Sequence, residues 1–246
     1  MRLLESGYTE GTYKFLSTDT KELYEKNLKL QQDDWHYRTS PVNYQLNTQG
    51  YRCKEWNEYD WNNSIVLMGG SDIFGAGVDE TETVSYYIKQ LSGIDTINLG
   101  VNAISPMFLW INSILLAKEN IQPKAIVYVW PDPSRSVEFI DSEGFNNKKM
   151  GIWEKENNFG KLWATHRFQG VQSLRYYMIN INLMWKCPCL QYPPLYVEIP
   201  WLKLTDELKL PMLDNSRDVV PNSTHFGPST YYSWAEKFLN DLKLSL

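Results

Sequence analysis

Two short stretches hold the residues whose types and spacing suit catalysis. The first is Met68-Gly-Gly-Ser-Asp-Ile-Phe-Gly-Ala-Gly-Val78, directly after the apolar run Ile65-Val-Leu-Met68. Small residues after a buried strand let the backbone turn sharply and leave the Ser71 hydroxyl at the rim, where a serine can act as a nucleophile if a base is near. A phosphate loop is the competing glycine-rich pattern, but no Gly-Lys-Ser/Thr follows, and Gly69-Gly70-Ser71 is not a dinucleotide fingerprint. The second stretch is Arg217-Asp-Val-Val-Pro-Asn-Ser-Thr-His-Phe-Gly-Pro-Ser229, a turn-rich loop carrying His225. A histidine base needs its second ring nitrogen held by an acceptor, so that the correct tautomer faces the serine. Asn222 can offer an amide oxygen. Asp218 offers a carboxylate, provided that Pro221 bends the loop back. The other histidines, His36 and His166, have no such setting.

These loops need a scaffold. From Ser64 onward strand and helix patterns alternate: Ile65–Met68, Asp95–Leu99, Ala125–Trp130 and Leu195–Ile199 read as strands. Thr81–Leu91, Pro106–Asn120, Phe159–Lys186 and Tyr231–Leu242 read as helices. Units of this kind, about 30 residues each, predict an α/β domain with a parallel sheet covered on both faces. Ligands of such sheets bind outside the carboxyl ends of the strands, where Ser71 falls. The segment after Arg135 reads as a polar loop. Residues 1–63 are polar and rich in Tyr, Trp, Asn and Gln, and read as an irregular arm with a short helix at Lys21–Leu30. The expected division is therefore an arm over 1–63 and one α/β domain over 64–246.

Composition narrows the partners. The 24 Lys+Arg against 29 Asp+Glu give a net charge of −5, which supplies no general field for nucleic acid or an anionic membrane. The longest apolar run, Pro106–Ala117, carries Asn112 and is too short to span a bilayer. The N-terminus has no apolar leader run, so the expectation is synthesis in a cytoplasm. Three cysteines make no disulfide framework, and Cys187-Pro-Cys189 reads as structural thiols rather than half a metal site. The 35 aromatic side chains, 10 Trp, 16 Tyr and 9 Phe, suit a core, an oligomer interface or a sugar-stacking surface equally.

In order, Gly70-Ser71 with Phe74-Gly75-x-Gly77, then Asn98-Leu-Gly-Val-Asn-Ala103, then the His225 loop before the last helix, resemble the SGNH/GDSL hydrolases. Leu46-Asn-Thr-Gln-Gly-Tyr-Arg52 also looks like the lead-in of a bacterial and phage branch. The resemblance implies a flavodoxin-like three-layer α/β/α fold and a serine esterase, many of the family acting on acylated carbohydrates. It implies Ser71 as nucleophile and His225 as base. The N–H groups of Ser71 and Ala103, or Asn102 if the turn shifts, would form the oxyanion hole. Three positions depart from the pattern. Ala103 stands where the family usually has a glycine, a change that a backbone N–H donor tolerates. Asn222 stands where the family places its acid, so Asp218 replaces it or the site runs as a dyad. Trp130-Pro-Asp-Pro-Ser-Arg135 stands where an Asn usually donates to the oxyanion, leaving Arg135 as a substitute donor and Asp132 as a repelling charge. No metal or organic cofactor is called for.

Three functions follow. The first is an ester hydrolase acting on an acylated carbohydrate or another small ester. The second is a catalytically degenerate member of the fold serving as a structural or binding subunit of a larger assembly, such as a phage virion, with the arm wrapping a neighbouring copy. The third is a carbohydrate-binding module that uses the aromatics without Ser71.

Overall fold

The computed structural model describes residues 1–150, 159–194, 209–219 and 225–243, of which 148–150 and 159–168 are described by their backbone alone. In chain order its elements are β1 (Gly11–Tyr13), α1 (Lys21–Leu30), β2 (Tyr44–Leu46), β3 (Ile65–Gly69), α2 (Ser71–Phe74), α3 (Val84–Ser92), β4 (Thr96–Asn98), α4 (Pro106–Lys118), β5 (Ala125–Val129), β6 (Ser136–Phe139), β7 (Asn147–Met150), α5 (Phe159–Met184), β8 (Cys189–Tyr192) and α6 (Pro228–Asp241).

A four-stranded parallel sheet runs in the order β4-β3-β5-β8. Every residue of β3 and β5 is buried, as expected of central strands covered on both faces. Alternation along β3 sorts the core into two layers. Ile65 and Leu67 pack with α3 and α6, whereas Val66 and Met68 pack with α4 and α5. The result is the α/β/α layering that the family resemblance implies.

Local chemistry fixes the helix starts. Thr83 caps α3 by accepting from the Tyr86 N–H, Ser105 caps α4 before Pro106, and Pro228 opens α6 where no N–H is needed. The helix read at Thr81 therefore begins at Val84. The residues before it, Glu80–Glu82, form a separate single turn whose capping box is built by Asp79 and Glu82. The closing helix begins at Pro228, ahead of the expected Tyr231.

Two further corrections concern strands. The polar stretch after Arg135 contains the antiparallel pair β6–β7, turned by Asp141–Gly144, where the Asp141 carboxylate accepts from the Phe145 and Asn146 N–H groups. A strand that the sequence reading did not place, Cys189–Tyr192, pairs with β5 at the edge of the described sheet. The strand expected at Leu195–Ile199 lies outside the described residues.

Residues 1–63 are more ordered than an irregular arm. They contain α1 where the sequence placed it and the antiparallel pair β1–β2. Their aromatic and aliphatic side chains enter both core layers: Tyr37, Val42, Tyr44 and Leu46 on the α3/α6 side, Leu3, Leu4 and Tyr51 on the other. Asn112, the polar interruption in the apolar run of α4, is buried for this reason. Its Oδ1 accepts from the Leu4 N–H at 2.8 Å and its Nδ2 donates to the Tyr51 hydroxyl at 3.0 Å. No helix among the described residues is long and apolar enough to cross a membrane.

Candidate active site

Ser71 is the first residue of α2, entered from the buried end of β3 through Gly70 in an extended conformation. The chain then reverses through Gly75 and Gly77, both at φ 79°, a region that L side chains rarely adopt. A Cβ on Gly77 would also stand 2.7 Å from Asp218 Oδ1, so this turn and the His225 loop meet backbone to side chain. On the other side, a Cβ on Gly100 would fall 2.4 Å from the Phe74 nitrogen, so the loop after β4 lies directly on α2.

Arg52 clamps the turn from beneath. Its side chain is fully buried. Nη1 donates to the Phe74 and Gly75 carbonyls at 3.2 and 2.6 Å, Nη2 to those of Asn43 and Val78 at 2.9 Å each, and Nε to Glu80 at 3.0 Å. The guanidinium lies over the Tyr44 ring at 4.6 Å. Its planar fork serves four carbonyls, three from the turn and that of Asn43; the Gly75 carbonyl also accepts from the Val78 N–H at 3.4 Å.

His225 precedes Phe226, which bridges to Asn215, and its carbonyl accepts from the Ser216 N–H. This pairing folds Asp218 back under the ring, and His225 Nδ1 stands 2.7 Å from Asp218 Oδ2. The loop is held on three sides. Arg217 donates its N–H to the Gly77 carbonyl and its guanidinium to Asp19, at 3.0 and 2.5 Å. Asn27 of α1 donates to the Arg217 and Val219 carbonyls at 3.1 and 3.0 Å. Tyr44 accepts from the Gly77 N–H and donates to Asp19.

Asp218 is 2% exposed. Burial works against its charge and is the largest single influence. His225, by hydrogen bond and charge, and the hydroxyls of Ser216 and Thr18 together outweigh burial, so the carboxyl is held below its ordinary range. Burial likewise disfavours the imidazolium, but the Asp218 hydrogen bond and charge, with Asp72 adding to them and Arg135 opposing, hold the ring above its usual value. With Nδ1 committed to Asp218, Nε2 is the nitrogen left for a substrate-side proton.

Of the expected oxyanion donors, Ser71 and Ala103 keep backbone N–H groups that make no hydrogen bond among the described residues. Ala103 stands at φ 60°, a left-handed position that suits glycine and costs an L residue about 1 kcal/mol. Val101 ties this loop to the end of β3 by donating to the Gly69 carbonyl. The Asn102 N–H likewise makes no hydrogen bond among the described residues, while its side-chain Nδ2 donates to the Tyr8 hydroxyl at 3.0 Å. Arg135 reaches the serine turn: a Cβ on Gly70 would lie 3.8 Å from its Nη1. The Asp132 carboxylate accepts from the Ser134 N–H at 2.8 Å within its own loop. The Ser71 hydroxyl makes no hydrogen bond among the described residues, and Asn222 lies outside them.

The chemistry this set can support is proton abstraction by a carboxylate-held imidazole, in a loop docked on the glycine turn that follows Ser71. Sequence reasoning missed Thr18, Asp19, Asn27, Tyr44 and Arg52. The Leu46–Arg52 lead-in is the one sequence signal that touches any of them. Elsewhere, His36 pairs with Glu82 rather than with the site, and His166 lies in α5. Cys187 and Cys189 are free, half-buried thiols that burial holds above the ordinary range.

No protein-family model matches the sequence, and no curated protein matches it. Among solved structures, the fold is similar to a protein described as lipolytic, of the G-D-S-L family, from Desulfitobacterium hafniense. That match has 13% identity and a TM-score of 0.41, over 74% of this chain and 99% of that one. A protein described as a GDSL-like lipase from Bacteroides ovatus matches at 12% and 0.39, over 74% of this chain and 54% of that one. An acetyl xylan esterase from the rumen bacterium Butyrivibrio proteoclasticus matches at 10% and 0.37, over 75% and 64%. At such values none of these likenesses decides what the site does.

Proposed function

We propose that this chain is a serine ester hydrolase that removes an acyl group from a carbohydrate or another small ester. The reading rests on one observation: His225 Nδ1 is 2.7 Å from a buried Asp218 in a loop docked on the glycine turn that follows Ser71. In this mechanism His225 Nε2 takes the Ser71 hydroxyl proton as Oγ bonds to the acyl carbon. The carbonyl electrons move onto its oxygen, which the Ser71 and Ala103 N–H groups receive. As the tetrahedral centre collapses, the C–O bond to the alcohol breaks and the imidazolium returns its proton to that oxygen. Water, deprotonated by the same nitrogen, then releases the acid and restores the serine. Asp218 stays ionised and stabilises the imidazolium. Arg135 is the substitute for the missing third donor, a position whose loss elsewhere costs about 10²–10³ in rate.

A second reading, a structural or binding subunit that has lost catalysis, is favoured by the Ser71 hydroxyl. It makes no hydrogen bond among the described residues, and so none to His225. Attack requires a Ser71 rotamer that presents Oγ to Nε2. Turnover of a short acyl ester by the parent protein and by Ser71→Ala separates the two. The hydrolase reading predicts turnover in the parent, lost in Ser71→Ala with stability moved by less than about 1 kcal/mol. A parent protein without turnover favours the second reading, and unchanged turnover in Ser71→Ala assigns the activity to another residue.

A further inference from the structure

Asp218 Oδ2 receives two donors, and only one of them belongs to the His225 loop. His225 Nδ1 lies at 2.7 Å and the Thr18 hydroxyl at 2.6 Å, while Ser216 donates to Oδ1 at 2.5 Å. Thr18 comes from the far end of the chain. It sits at the tip of a tight turn closed by the Leu16–Asp19 bridge, with Leu16 and Asp19 exchanging backbone hydrogen bonds at 3.0 and 3.2 Å. Ser17, beside it, is a non-glycine residue at φ 59°. Such a conformation persists only where surrounding contacts over-determine it. Here they do: Asp19 is locked by Arg217 and Tyr44, and the Arg217 guanidinium lies over the rings of Phe15 and Tyr24 at 4.7 and 5.2 Å.

We propose that Thr18 is a positioning residue of this site, its hydroxyl fixing the Asp218 carboxylate on the His225 ring and sharing the oxygen that His225 binds. The proposal deepens the hydrolase reading and rests on it only for the consequence to turnover. The physical effect is specific. Two donors on one oxygen divide the same negative charge, so Thr18 restrains the pull that Asp218 exerts on an imidazolium. Without that hydroxyl more of the charge acts on His225, and the ring holds its proton more tightly. The other groups that face the pair stay in place. They are Asp72 of α2, Arg135 of the loop after β5, Asp19 and Arg217 beside Asp218, and the phenols of Tyr37 and Tyr231.

The test is an NMR titration of the histidine ring protons in the full chain, for the parent, Thr18→Val and Thr18→Ser. The chain has 3 histidines, and His225→Gln identifies the relevant signal. The expected result is an upward displacement of the His225 midpoint in Thr18→Val and none in Thr18→Ser, which keeps the hydroxyl. On the acid limb of ester turnover, Thr18→Val then falls by about two- to tenfold, the span of a typical net hydrogen bond, while the alkaline plateau holds. Thr18→Ala loses the same hydroxyl and is read the same way if Thr18→Val does not fold. An unchanged or lowered midpoint in Thr18→Val, or an equal displacement in Thr18→Ser, overturns the proposal. A displaced midpoint in a protein with no turnover supports the role of Thr18 and removes the hydrolase reading instead.

Discussion

Replacing Arg52 by Met keeps the length of the side chain and removes every donor beneath the serine turn. The carbonyls of Phe74, Gly75, Asn43 and Val78 then lose the guanidinium that satisfies them. Each buried acceptor left unpaired costs about 1–3 kcal/mol; Gly75 keeps the Val78 N–H, and partial relaxation brings the other three toward the low end. The Glu80 partner adds little, because its side chain is 47% exposed and water replaces the lost charge. The sum is about 3–5 kcal/mol, a large share of the roughly 5–15 kcal/mol that holds an ordinary domain folded. For a chain of this size that corresponds to a melting temperature lower by about 10 °C. Thermal unfolding followed by tryptophan fluorescence, with urea unfolding for the free energy, measures it. Arg52→Lys keeps the charge but offers three donors without the planar fork, and is expected to fall between parent and Met. An Arg52→Met protein melting within about 2 °C of the parent would refute the clamp.

Asp218→Asn is expected to lower ester turnover by about 10³–10⁴ by offering His225 an amide in place of the charge. Asn222→Ala leaves turnover within about twofold; the opposite ranking in kcat would transfer the orienting role to Asn222. Stability should also report the pair. The His225 ring is held above its ordinary value of 6.5 by Asp218 against the effect of burial. Its stabilisation is therefore complete below about pH 6.5 and is lost as pH rises through the folded value. Asp218 is held below its ordinary value, so its contribution is present above about pH 4 and is lost as pH falls through the folded value. The stability gap between parent and His225→Gln should narrow as pH rises above about 6.5 through the folded value; a gap that widens contradicts the assignment.

Where local pattern and physics coincide, the sequence is readable. An apolar run breaking into glycines marks β3 and the Ser71 turn, and residues four apart mark α3 (Thr83, Tyr87, Leu91) and α6 (Trp234, Phe238, Leu242). His225 stands out because its loop carries the acceptors that a histidine base needs, Asn222 and Asp218, and Asp218 because a carboxylate is the better acceptor. Other elements mislead for local reasons. The capping box of Asp79 and Glu82 encodes a single turn that merges, by pattern, with α3. Cys189-Leu-Gln-Tyr192 pairs in the sheet although it is short and carries no continuous apolar run. The residues that brace the site are illegible for a different reason. Thr18 meets Asp218, and Asn27 the Arg217 carbonyl, across about two hundred residues of chain, and no local spacing records such a meeting. Polar residues in a segment without periodicity read as a solvated arm until the fold brings them to a buried carboxylate.

The central claim is that Ser71 is a nucleophile activated by His225. Labelling with a fluorophosphonate probe, read by intact mass and peptide mapping, tests it without knowledge of the substrate, because such probes bond to serines whose hydroxyl is activated by a base. The expected result is a single adduct on Ser71 that disappears in His225→Gln. No adduct at saturating probe, or an adduct on another serine that survives the loss of His225, would contradict it.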